Sequence, residues 1–208
     1  KRLGREILHV ATREELGLAE DPPHVKPFYD LDRLSMLERE PPAHTRLRTL
    51  VNRAFVSRQI ERLRSRIAAL CHQLIDSFEA GRTTDLIPAF ATPIPVTIIA
   101  ELLGVPVEMA PQLLDWSHRM VAMYQFGRSF ETEMSAVAAT EAFSSFLRGY
   151  VAERRSAPAD DLISLLIAAE ADGDRLTEDE LVATCILLLN AGHEATVHAI
   201  GHGVKAIL

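Results

Sequence analysis

Two short stretches of this 208-residue chain carry side chains that ordinary core helices avoid. The first, EREPPAHTRLRTLVNRAF at residues 38–55, sets His44 and Arg48 four apart, on one face of any helix that forms there. An Arg fork beside a His offers several N–H donors to one carboxylate, and a solvated basic helix face is the plain alternative. Arg46, Arg48, Arg53, Arg58, Arg62, Arg64 and Arg66 crowd the region with only Glu61 opposing them, which suggests a docking patch for an acidic partner. The second stretch, TCILLLNAGHEATVHAIGHG at residues 184–203, opens as a buried helix. It then admits Asn190, Gly192, His193, Glu194, Thr196, His198 and His202. A helical Gly costs about 1 kcal/mol relative to Ala, and a buried carboxylate needs partners, so the run implies a use for these residues. HEATVH misses the zinc-protease spacing HExxH by one residue. Its histidines stand about 140° apart and cannot grip one metal from a single face. Glu194, His198 and His202 share a face at i, i+4 and i+8 and could ligate a metal with help from other helices. No Glu-x-x-His pair elsewhere completes such a bundle site, and a polar stripe or hydrogen-bonded core histidines account for these residues.

The elements that must position these groups read as helices almost throughout. Apolar spacing predicts helices over about 43–54, 57–80, 94–103, 107–124 and 130–155, with Gly81 as the C′ residue of the second. A short helix is expected from Asp160-Asp161 to near Gly173. Thr177 and Glu180 form a capping box that opens the last long helix. The first 40 residues read as loop around one or two short helices. No alternating strand pattern of useful length occurs, so the fold class is mainly α, in one domain.

Composition excludes several classes. A formal charge of −7 argues against general nucleic-acid binding. The most apolar long window, residues 87–107, is broken by four prolines and Glu101, so no membrane span is expected. The first residues lack the apolar core of a signal peptide, and a cytoplasmic protein is the expectation. Cys71 and Cys185 lie far apart within apolar segments and read as buried core thiols.

Taken together, the two stretches resemble a known family. PPAHTRLRTLVNRAF resembles the C-helix signature of the bacterial cytochromes P-450, the haem-thiolate monooxygenases, and LLLNAGHEATVHAIGHG resembles their I-helix signature. The order and separation of the two match the family's C-to-I segment, from about Arg33 to the end of the chain. The resemblance implies an incomplete cytochrome P-450 fold and haem b as cofactor. It implies insertion of one oxygen atom from O2 into a small-molecule substrate, with electrons from a ferredoxin-type redox partner and its reductase.

It also assigns residues. His44 and Arg48 would bind the haem propionates, Ala191 and Gly192 would let the I helix pass close over the haem, and Glu194 would belong to the proton relay. The family's next residue is usually Thr, whose hydroxyl bonds back to the carbonyl four residues earlier. Ala195 stands there instead, with Thr196 one position, about 100° of helix, later. Leu187, Ala191 and Ala195 would line the substrate pocket, and Asn190 would either bond the substrate or only a neighbouring helix. Met120, Met123, Tyr124, Phe126 and Phe130 fall in the family's variable lid and receive no role. The family's ExxR pair and FxxGxxxC haem loop lie beyond the I helix and do not follow it here, so this chain is expected to supply no axial Cys and no metal ligand. The expectation is a distal-half piece, inactive alone. The rival readings are a non-catalytic helical ligand-binding or interaction domain and, further off, a metal-dependent helical hydrolase.

Overall fold

The computed structural model describes residues 14, 15, 17, 20–55, 57–169 and 173–207, the side chains of 57–60 excepted. The described residues form eight α-helices: α1 (Lys26–Asp32), α2 (Ala43–Ala54), α3 (Ser57–Asp76), α4 (Pro93–Leu103), α5 (Ala110–Val121), α6 (Phe130–Ser156), α7 (Leu162–Ala168) and α8 (Glu178–Ile207). Short 3-10 turns at 23–25, 36–38, 107–109 and 122–124 and a π turn at Ile87–Ala91 link them. Helices α4, α5, α6 and α8 pack on one another, α1 lies on α6, α2 meets α7, and α3 lies on α4 and the π turn. Among the described residues no helix is long and apolar enough to cross a membrane.

Helix α8 is the axis of this arrangement. Thr177 Oγ1 accepts from the Glu180 N–H at 3.2 Å and Glu180 Oε2 accepts from the Thr177 N–H at 2.9 Å, the reciprocal capping box expected. Leu181 to Ile186 are then buried on every side, as a helix without a polar face must be. From Leu187 onward one face opens, with Ala191 and Ala195 exposed and Leu189, His193 and Val197 still buried.

Helix α2 buries Leu47, Leu50, Val51 and Ala54 at helical spacing. A second anchor comes from Arg46, whose guanidinium bonds both Asp174 carboxylate oxygens, Glu180 Oε1 at 2.7 Å and the Arg175 carbonyl at 2.7 Å. The start of α8 and the face of α2 are thereby tied together. Elsewhere, three helix ends meet at one joint. Gly104 closes α4 with φ 81°, a left-handed conformation that Gly adopts without strain. A Cβ there would lie 2.2 Å from Asp161 Oδ2, so space also demands Gly. Asp161 caps α7 by accepting from the Ser164 N–H at 2.8 Å and pairs with Arg154 near the end of α6, which also donates to the Gly104 carbonyl at 3.1 Å.

Several boundaries differ from expectation. Helix α3 stops at Asp76, where the Ser77 hydroxyl bonds the Leu74 carbonyl at 2.6 Å, and Gly81 sits in a later turn with φ 78°. Among the described side chains of its apolar stripe only Leu70 is buried, since α3 packs on one side alone. The helix expected over 107–124 is α5 with a 3-10 turn at each end. Helix α7 starts as expected, capped by Asp161, but is shorter than expected because the chain turns extended at Ala169. Cys185 is buried as expected, whereas Cys71 is half-exposed.

Candidate functional site

Where the face of α8 opens, it borders a cavity of about 210 Å3. Leu187, Asn190, Ala191 and Glu194 form its α8 wall, Met120, Val121 and Tyr124 its α5 wall, and Leu31, Asp32, Ser35 and Leu37 close the remaining side. The Tyr124 hydroxyl donates to Asp32 Oδ1 at 2.7 Å, joining two of these walls. Three of the four residues expected in a substrate pocket therefore share one cavity. Ala195 is exposed one turn beyond Ala191 and is not part of the lining. Asn190 Oδ1 is buried without a hydrogen-bond partner among the described residues. Among the described residues no bond from this oxygen to a neighbouring helix occurs. Met120 and Tyr124 carried no assigned role from the sequence, and neither did residues 31–37. Their place here is set by packing between segments distant in the chain, which spacing alone does not show.

Glu194 is half-buried, next to the buried His193. His193 Nδ1 stands 2.9 Å from the Leu189 carbonyl, and its Nε2 has no partner among the described residues. Of the three residues sharing a face, His198 and His202 are exposed, while the groups that approach one another are His118 of α5, His193 and Glu194. The Thr196 hydroxyl donates to the Gly192 carbonyl at 3.1 Å, so the back-bond expected of a threonine at 195 is made one residue later and to the next carbonyl. Gly192 faces Ile99 of α4, and a Cβ would meet that side chain at 3.6 Å, an ordinary contact.

On α2, His44 is half-buried and Arg48 is exposed, one turn apart, and neither has a partner among the described residues. The Arg58 side chain lies outside the described residues, and among those described the rest of the basic segment is not a free patch. Arg46 is occupied as described, Arg62 pairs with Asp160 at 2.5 Å, and Arg66 forks onto Glu101 at 2.6 to 3.0 Å. Acidic groups remote in sequence thus neutralise much of the charge that Glu61 alone could not. Glu-x-x-Arg spacing does occur, at Glu61–Arg64 and Glu79–Arg82, but both are exposed pairs within one turn.

These residues suit part of a haem site. His44 and Arg48 are unpaired donors fit for carboxylates. The exposed Ala191 and Ala195 make a low face on α8 that a flat macrocycle could approach. The axial thiolate is another matter. Cys185 is buried in the core among Leu181, Val182 and Leu189, and burial, aided by the charge of Asp161, pushes its thiol up to about 12. Cys71 belongs to α3, which packs on α4 and the π turn.

Comparison with known proteins agrees with this geometry. The family model for cytochrome P450 matches residues 9–204. The chain is 42% identical over 173 residues to cytochrome P450 107B1 of Saccharopolyspora erythraea, covering 83% of this chain and 41% of that protein. It is 35% identical to the polyketide biosynthesis cytochrome P450 PksS of Bacillus subtilis, over 100% of this chain and 49% of that one. Among solved structures, P450BioI in complex with an acyl carrier protein carrying hexadec-9Z-enoic acid superposes with a TM-score of 0.84 at 31% identity. That match covers 92% of this chain and 49% of P450BioI. The chain spans about half the length of the relatives it matches.

Proposed function

Because this chain belongs to the cytochrome P450 family, we infer that the protein carrying it is a haem-dependent monooxygenase that inserts one oxygen atom of O2 into a small organic substrate. Relatives named as monooxygenases, among them a steroid C26-monooxygenase of Mycobacterium tuberculosis, favour this over a non-catalytic binding domain. Electrons would come from a ferredoxin-type partner and its reductase, in the cytoplasm. The internal ion pairs of Arg62 and Arg66 leave the basic segment less free charge for docking than its composition implies.

Bound haem would supply the oxygen chemistry. The chain's own residues would do the rest. His44 and Arg48 would hold the propionates through charge-assisted hydrogen bonds. Ala191, Gly192 and Ala195 would keep α8 low over the ring. Glu194, at the cavity wall, would carry a proton from solvent toward the reacting oxygen. Leu187 and Ala191 would exclude water and pack the substrate, while Asn190 Oδ1 would accept a hydrogen bond from it.

The carrying observation is the cavity beside α8, lined by Leu187, Asn190, Ala191 and Glu194. The test uses protein expressed from its full coding sequence. It should bind haem, and its reduced, CO-bound form should show the red-shifted Soret band of thiolate-ligated haem. H44A and R48A should each retain haem more weakly, and a full-length protein without that band would refute the assignment.

A further inference from the structure

Three side chains near the cavity hold a second kind of chemistry. One ligand atom each from His118, His193 and Glu194 lies within 4.8 Å of the other two. They come from two helices, α5 and α8, which pack against each other. His193 is 1% exposed, and its Nδ1 faces the Leu189 carbonyl at 2.9 Å. A carbonyl oxygen only accepts, so Nδ1 must carry the proton and Nε2 must present a lone pair. That Nε2 is buried and has no hydrogen-bond partner among the described residues. A buried acceptor left bare is unfavourable, and something should meet it.

The tautomer is the one that metal-bound histidines adopt, with the non-ligating nitrogen donating to a backbone carbonyl. The His118 ring stands 5.6 Å from the His193 ring, centroid to centroid, tilted by 47°. Glu194 adds a carboxylate from the residue beside His193. Two imidazoles and a carboxylate suit Zn2+ and other first-row divalent ions, and do not suit Mg2+ or Ca2+, which take oxygen ligands. Bonds of about 2.0–2.1 Å put tetrahedral ligands about 3.4 Å apart, so separations of up to 4.8 Å must close by up to about 1.4 Å. His118 is exposed and free to make that adjustment.

We propose that His118, His193 and Glu194 form a binding site for a zinc-like divalent cation that clasps α5 to α8. A consequence rests on the function proposed above: a cation on Glu194 ties up the carboxylate assigned to proton delivery, so occupancy would slow turnover.

The experiment is equilibrium dialysis of the chelator-stripped protein, expressed from its full coding sequence, against ZnCl2 at neutral pH, with zinc read by elemental analysis. The wild type should take up one ion with an affinity that falls at least tenfold in H118A and in E194Q. The double variant H198A/H202A, which removes two exposed histidines of the same helix, should keep it. Zinc should raise the melting temperature of the wild type and not of H118A. Unchanged affinity in H118A and E194Q, loss only in H198A/H202A, or no uptake by the wild type would each overturn the site. The last result would leave His193 Nε2 to an ordered water. Turnover separates the two readings: zinc should inhibit the wild type and spare H118A. Zinc bound at this site without inhibition would refute the relay role of Glu194 and leave the site standing.

Discussion

Ala195 is the residue at which this chain parts from its family's pattern, and its neighbour does not fill the gap. Thr196 spends its hydroxyl on the Gly192 carbonyl, on an exposed flank of α8. A threonine at 195 could make the same bond to the carbonyl of Ala191, on the cavity side. A195T should therefore raise product formed per reducing equivalent, by about fivefold if the hydroxyl is worth one hydrogen bond of about 1 kcal/mol. Unchanged or lower coupling would mean that the missing hydroxyl is not what limits the reaction. The two thiols give a simpler contrast. Cys185 is buried with its thiol pushed up to about 12, while Cys71 is half-exposed. Of these two thiols, a thiolate-specific alkylating reagent at neutral pH should label Cys71 alone in the native protein and both in denaturant, as mass spectrometry would show.

At the scale of elements, α2 and α8 were legible in the sequence because apolar spacing, a capping box and two dense motifs all pointed the same way. What was not legible is how they are held. Arg46 read as one member of a basic face, yet it joins α2 to Asp174, Arg175 and Glu180. The partners lie 128 to 134 residues away, beyond any local pattern. R46A should lower the unfolding free energy by roughly 1 kcal/mol, allowing for solvent at a partly exposed site, with the urea midpoint as the measure. The C-terminal ends of α3 and α7 were misplaced for a similar reason: a side-chain bond at Ser77 and an extended backbone at Ala169 mark them, and apolar periodicity reports neither, whereas the start of α7 at the Asp161 cap was legible. The cavity was half legible. Its α8 wall followed from spacing, whereas Leu31, Asp32 and Tyr124 arrive through long-range packing.

At the scale of the whole molecule, three carboxylates among the described residues carry a lowered pKa that couples stability to acid. The His24 hydrogen bond, with Arg128 assisting, holds Glu133 below the usual carboxylate range. Burial would raise Glu180, but hydrogen bonds from Arg46 and the Thr177 amide outweigh it and lower it, and Arg46 lowers Asp174. A carboxyl whose folded pKa is depressed stabilises the fold above its unfolded value, and that contribution is lost as pH falls through the folded value. Stability should therefore decline as pH drops below about 4 to 5, the ordinary range for these groups. R46A should show a shallower decline, since two of the three carboxylates lose their partner. Thermal melts of both proteins across that range would check it, and parallel curves would assign the acid sensitivity elsewhere.

The joint at Gly104 reaches further than its size suggests. The last turn of α4, the last turn of α6 and the first turn of α7 share one carboxylate and one guanidinium. Arg154 bonds the α4 end and the α7 cap at once, so none of the three ends can fray without losing a bond to a neighbouring end. In native-state hydrogen exchange, the amides of Val105, Ala157 and Ser164 should open as a single cooperative unit with one common free energy. G104A, by displacing Asp161, should speed the exchange of all three together.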